Sequence, residues 1–159
     1  MIKGIYETHI NVSNLERSVD FYKNVLGLEQ CSFADERRIV FFWVGKPREY
    51  MLGLWEKPDE VVKMHFAFRC DKEDILNNSI GFLKSRNLKP YNFLKDGREI
   101  PLVFAWMPSL AIYFDDPDGH CLEFISVLEG EPNRDLGIVT YEEWEMYLES
   151  KNNISGATL

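Results

Sequence analysis

Phe114-Asp115-Asp116-Pro117-Asp118-Gly119-His120-Cys121-Leu122-Glu123-Phe124-Ile125 reads as strand, tight turn, strand. Pro117 and Gly119 punctuate the turn, and the Asp side chains can bond the local backbone. Beyond Gly119 the residues alternate, so Cys121, Glu123 and Ile125 share one face while His120, Leu122 and Phe124 share the other. Glu123 is then a carboxylate among apolar neighbours on a half-buried strand. An ionised carboxylate there is costly unless it is paired, hydrogen-bonded or bound to a metal. The rest of the chain is therefore read for its partners.

Upstream, Ile5 to Val12 has strand alternation, with Glu7, His9 and Asn11 on one face. Ser13 followed by Glu16 has the form of a capping box for a helix carrying Leu15, Val19, Tyr22 and Leu26, which Gly27 ends. Leu28 to Phe33, Arg38 to Val44 and Tyr50 to Glu56 read as three strands, with turns near Asp35 and around Gly45 to Pro47. The pattern then repeats. Val61 to Cys70 reads as a strand, Asp71 as the cap of a helix with Ile75, Leu76, Ile80 and Leu83, and Leu88 to Leu94 as a strand. A long connection from Lys95 to Pro108 follows, then strands at Leu110 to Phe114 and Cys121 to Val127. His9 and His65 occupy matching places in two β-α-β-β-β modules, approximately residues 1–58 and 59–128. In the extension over 129–159, Thr140 and Glu143 form a capping box for a helix through Tyr147, with fraying after Lys151. The expected class is α+β, one domain over 1–159 with a C-terminal helical tail.

Composition narrows the function classes. The net charge of −8 gives no electrostatic reason to expect nucleic-acid or anionic-membrane binding. Three cysteines without a Cys-x-x-Cys pair suit a reducing compartment. The opening residues carry no signal-peptide apolar run, and no apolar stretch has bilayer length. A soluble cytoplasmic domain is the expectation.

His9-Ile10-Asn11-Val12-Ser13-Asn14-Leu15-Glu16-Arg17-Ser18-Val19-Asp20-Phe21-Tyr22, with Leu26-Gly27-Leu28, resembles the opening module of the vicinal oxygen chelate superfamily. That superfamily includes glyoxalase I, extradiol dioxygenases, fosfomycin-resistance enzymes and bleomycin-resistance proteins. Met64-His65-Phe66-Ala67-Phe68 and the Asp-Pro-Asp-Gly-His-x-Leu-Glu-Phe run extend the resemblance over roughly residues 1 to 128. It implies paired modules forming a cup-shaped mixed sheet around a divalent metal held by His9, His65 and Glu123. Two imidazoles and one carboxylate leave open positions for water or substrate, and zinc, manganese, nickel, cobalt and iron all suit that set. The competing reading is two satisfied histidines and a capped glutamate. Relatives often dimerise, so a homodimer belongs to the same expectation.

Departures from the family shape the functional expectation. The place matching Glu123 in the first module falls near Gly53, so the extra carboxylate common in glyoxalase I is missing; Glu49 and Glu56 lie too far along the strand. Tyr113 matches a tyrosine that fosfomycin-type thiol transferases use at the substrate, which gives Tyr113 and Glu123 as candidate catalytic residues. The Thr-Gly-Ser-Leu-x-x-Arg segment of those enzymes is replaced by Ser126-Val127-Leu128-Glu129-Gly130-Glu131-Pro132, and no phosphonate clamp is evident. Arg98 and Trp106, in the long connection, are candidate substrate-binding residues with Tyr113, and Trp106 a candidate lid. Trp43, Trp55 and Phe104 could line a pocket, with core filling as the alternative for Trp43 and Trp55. Cys121 reads as a core thiol, His120 as a turn residue, and Glu7 as a salt-bridge partner for Lys63 or Arg69. The resemblance implies a metal-dependent enzyme on a small oxygen-bearing substrate, of lyase, isomerase or dioxygenase type. The alternative is a metal-free binder of small molecules or antibiotics, like the bleomycin-resistance proteins.

Overall fold

The computed structural model of the protein describes residues 1–33 and 36–156; the expected turn near Asp35 lies outside them. The chain forms two units, one of residues 1–64 with 115–121, the other of residues 65–114 with those from 122 onward.

In the first unit the order is β1 (Glu7–Val12), α1 (Leu15–Asp20) continued by a π-helical turn over Phe21–Val25, β2 (Glu29–Gln30), β3 (Ile39–Val44) and β4 (Tyr50–Glu56). The sheet order is β1-β4-β3-β2. β1 runs parallel to β4, placing His9 opposite Gly53, and β3 is antiparallel to both β2 and β4. Ile10, Val12, Leu15, Tyr22, Phe42, Leu52 and Leu54 are buried. Tyr22 on the helical segment meets Phe42 with ring centroids 6.2 Å apart, so by alternation Phe41 and Trp43 face away from the helix. The expected capping box is replaced. Asn14 is the cap, its side chain accepting from Arg17 N at 2.8 Å. Glu16 instead pairs with Arg38 at 2.7 Å, and Ser13 N–H donates to Asp118 at 3.0 Å. The second expected strand shrinks from Leu28–Phe33 to two residues.

The second unit contains β5 (His65–Arg69), α2 (Lys72–Asn77), α3 (Ser79–Ser85), β6 (Leu102–Phe104), β7 (Ser109–Asp115), β8 (Cys121–Val127), β9 (Ile138–Val139) and α4 (Tyr141–Gly156). Its sheet order is β5-β8-β7-β6-β9. The βαβββ pattern recurs, with differences in detail. β5 is shorter than Val61–Cys70, and the single expected helix breaks at Asn78, which caps the end of α2 and starts α3. Leu88–Leu94 is not a strand. Only Tyr91 pairs, exchanging both backbone hydrogen bonds with Tyr113 at 2.9 Å. The connection from Lys95 is not structureless either, because Leu102–Phe104 forms β6 against Ala111–Ser109. β9, paired with β6, has no counterpart in the sequence reading. α4 does start on the Thr140–Glu143 box, Thr140 N–H donating to Glu143 at 2.8 Å, and it runs beyond Lys151 to Gly156. Ile75, Val103, Ala105, Leu110, Ile112 and Trp144 form the core, with Phe124 packed against it.

Candidate functional site

Strand parity in the second unit sets the site. Leu110, Ile112 and Phe124 pack on the helix side of the sheet, so Tyr113 on β7 and Glu123 on β8 project from the opposite face. Phe68 contacts Phe124 on the helix side, which turns His65 on β5 the other way as well. The three then meet. His65 Nε2 lies 3.0 Å from Glu123 Oε2, the Tyr113 hydroxyl hydrogen-bonds Glu123, and the His65 and Tyr113 rings are 5.9 Å apart.

Exposure differs sharply across this trio: the Glu123 side chain is 5% exposed and that of His65 51%. Burial pushes the Glu123 carboxyl above its ordinary pKa, and the Tyr113 hydroxyl and the His65 imidazole only partly offset that. The arrangement is a desolvated carboxylate oriented by a phenol, with an imidazole open to solvent. Both His65 and Glu123 offer donor atoms that suit a first-row divalent ion.

His9 occupies the corresponding face of the first unit. Its ring packs edge-on to Phe41 at 5.3 Å and Trp55 at 6.3 Å, and Nε2 lies 3.0 Å from Glu7 Oε1. Glu7 thus pairs with His9, not with Lys63 or Arg69. Gly53 makes room for the imidazole: a Cβ there would sit 2.9 Å from His9 Cδ2 and 3.0 Å from Phe41 Cε1. The neighbouring carboxylate on β4, Glu56, is occupied by Arg38 at 2.7 Å and by Leu15 N–H at 2.9 Å. Among the described residues, no three His, Cys, Asp or Glu side chains are gathered closely enough to hold a metal ion together.

The remaining candidates stand as follows. Arg98 is ion-paired with Asp96 at 2.6 Å and is half-exposed. Trp106 sits in the β6–β7 turn, 40% exposed, with its ring 4.9 Å from Phe104. Trp43 and Trp55 are half-buried, and so is Cys121. His120 is more than a turn residue, for it is wholly buried. Its Nδ1 accepts from Met64 N–H at 3.0 Å, and its Nε2 lies 2.9 Å from Asn11 O. Phe93, which the sequence reading passed over as part of a strand, touches Tyr113 at 6.2 Å.

Among the described residues, no helix is long and apolar enough to cross a membrane. Comparison with known proteins gives a consistent picture. The chain is 29% identical over 133 residues to a protein named metallothiol transferase FosB from Staphylococcus haemolyticus, covering 77% of this chain and 83% of that one. An integron cassette protein from the mobile metagenome of the Halifax Harbour sewage outfall is 33% identical, with a TM-score of 0.66, and the match covers 79% of this chain and all of that one. Lactoylglutathione lyase from Agrobacterium tumefaciens shares the fold, with a TM-score of 0.60 at 21% identity over 79% of this chain and 94% of its own. A family model matches residues 4–124, and the chain belongs to the Glyoxalase/Bleomycin resistance protein/Dioxygenase superfamily.

Proposed function

We propose that the protein is a metal-dependent enzyme acting on a small oxygen-bearing substrate, with His65 and Glu123 as ligands of a divalent ion and His9, carried over from the family resemblance alone, as the third. The observation that carries this reading is Glu123, a carboxylate buried on an otherwise apolar strand, facing a solvent-open imidazole and a tyrosine hydroxyl. A carboxylate is kept in such surroundings at a cost that a cation offsets. When bound, a divalent ion supplies Lewis acidity toward a substrate oxygen. Tyr113 restrains the rotation of the Glu123 carboxylate and holds a proton beside it. A set of three donors suits ring-cleaving dioxygenase chemistry, and lyase or isomerase chemistry here would proceed without the extra carboxylate whose place falls near Gly53.

Elemental analysis of protein purified without chelator tests the reading. Wild type should carry about one ion per chain, and Glu123→Ala and His65→Ala should each lose most of it. Equal metal content in all three proteins would sink the proposal. Iron would favour dioxygenase chemistry; nickel, zinc or manganese would favour a lyase or transferase.

A second reading, transfer of a thiol, is favoured by the 29% identical relative named a metallothiol transferase together with Tyr113 on Glu123. Against it stands the run Val127-Leu128-Glu129-Gly130-Glu131-Pro132 where that family's hydroxyl and arginine segment would fall. Consumption of a small thiol in the presence of fosfomycin decides between them.

A further inference from the structure

The helical layer of the second unit is interrupted where its two short helices meet. Asn78 ends α2 and starts α3 with φ −120° and ψ −29°, and the Ser79 hydroxyl donates back to Ile75 O at 2.5 Å. A serine bonded to the preceding turn in this way bends a helix. A cavity of about 310 Å³ opens beside the break, walled by Ile75, Phe82 and Phe124. Asp74 and Asn78, both exposed, stand where it meets solvent. Phe124 projects from the face of β8 opposite Glu123, so the cavity lies behind the sheet, away from His65, Tyr113 and Glu123.

Its walls and its mouth differ in character. Ile75 is 1% exposed. The Phe82 ring is held against Phe124 at 6.0 Å and 67°, with the Arg86 guanidinium 3.7 Å from its centre. The polar side chains of the lining donate within the protein: Asn78 to Asp74 at 2.9 Å, Ser79 to Ile75 O, and the Cys70 thiol to Phe68 O at 3.6 Å. Among the described residues, Asp74 is the one charged side chain of the lining, and its carboxylate keeps acceptor capacity beyond the Asn78 bond. The negative charge reaches inward. Burial first, then the Asp74 and Asp71 carboxylates, push the Cys70 thiol up to about 11. An apolar ring would displace water from three apolar side chains, and an ammonium would complement the carboxylate at the mouth. An anion would face that carboxylate with no basic side chain in the lining to offset it.

We infer that this cavity is a second small-molecule site, one that takes an arylalkyl amine. The ring fills the space between Ile75, Phe82 and Phe124, and the ammonium sits at Asp74. The inference is independent of the metal reading, since none of these residues is a proposed ligand.

Phenethylamine, phenylacetate and ethylamine separate ring from charge on the full-length protein. Calorimetry should show phenethylamine binding about fivefold tighter than phenylacetate, the ratio expected when an exposed carboxylate attracts one charge and repels the other. Ethylamine, which lacks the ring, should not bind. Asp74→Asn should bring the ratio of the two aryl compounds toward one. Phe82→Ala should weaken both about fivefold, the loss of one aromatic contact, and Phe82→Leu should weaken them less. An unchanged thermal midpoint shows that each variant keeps its fold. Phenethylamine should also slow alkylation of Cys70, followed by mass spectrometry, with the midpoint that calorimetry gives, while Cys121, on the Glu123 face, reacts as before. Equal or reversed wild-type affinities, ethylamine as tight as phenethylamine, a ratio indifferent to Asp74→Asn, or Cys70 alkylation unmoved at saturating amine would overturn the inference. So would Cys70 protection that follows protein concentration instead of amine, which would give the cavity to a second copy of the chain.

Discussion

Gly53 and His9 show how one missing side chain admits another. On β4 the residue opposite His9 has no Cβ, and the imidazole occupies that space against Phe41. Gly53→Ala would force the His9 ring off its position, because the approach of 2.9 Å is shorter than any ordinary carbon contact. The expected cost is about 1–3 kcal/mol, the range for overpacking a closely fitted site. Chemical denaturation measures it. His9→Ala in the Gly53→Ala background should recover part of the loss, since the offending ring is then gone; a purely additive double mutant would show that the clash lies elsewhere.

Among the elements, the turn between β7 and β8 is the one most tightly specified by polar contacts. Asp116 accepts from Tyr22 OH at 2.9 Å, from Asp118 N–H at 2.9 Å and from His120 N–H at 2.8 Å. Asp118 accepts from Ser13 N–H and from Arg17, and its side chain is 6% exposed. Burial raises the Asp118 carboxyl, but the Ser13 and Arg17 bonds outweigh it and the net shift is downward. A carboxyl lowered in the folded state stabilises above its unfolded pKa, near 3.9, and loses that contribution as pH falls through its folded value. Asp116 is raised by burial and works in the opposite sense. The stability difference between wild type and Asp118→Asn should therefore be constant at neutral pH and shrink below about pH 4. Urea titrations of both proteins across that range provide the check. A difference that grew on acidification would contradict the assignment.

At the scale of the whole chain, the family match ends at residue 124, yet the residues beyond it are structural. Trp144 on α4 is 1% exposed within the second unit's core, and β9 pairs with β6. Gly130 has φ of +116°, and a Cβ there would lie 2.8 Å from both Leu148 and Trp144, so the chain's path to α4 is set by a glycine that only glycine fits. Trp144→Ala should cost about 3–5 kcal/mol, the range for a fully buried large aromatic. A thermal midpoint unchanged by that substitution would mean that the extension is only loosely attached. This prediction distinguishes a core element from an appended tail, a difference that composition cannot reveal.

Two modules, their parity and the exceptional carboxylate were legible in the residues, because alternation along a strand is a local property. Once Phe124 and Leu122 are taken as apolar inward positions, Glu123 has one face left. The same logic placed His9 and His65 on the faces they occupy, whereas Tyr113 was singled out only through the resemblance. What was not legible depended on partners distant along the chain. Ser13 and Glu16 form an acceptable capping box in isolation; Asp118 takes the first and Arg38 the second, 105 and 22 residues away. Leu88–Leu94 and Leu102–Phe104 both read as apolar segments, and both meet β7, the first only at Tyr91 and the second over three residues. The sequence by itself determined the βαβββ pattern and the strand faces of His9, His65 and Glu123. Tertiary structure alone decided that Phe93 stands between Tyr113 and Phe104, because a side chain's neighbours follow from which segments pair along an edge, and that pairing exists only in the folded sheet.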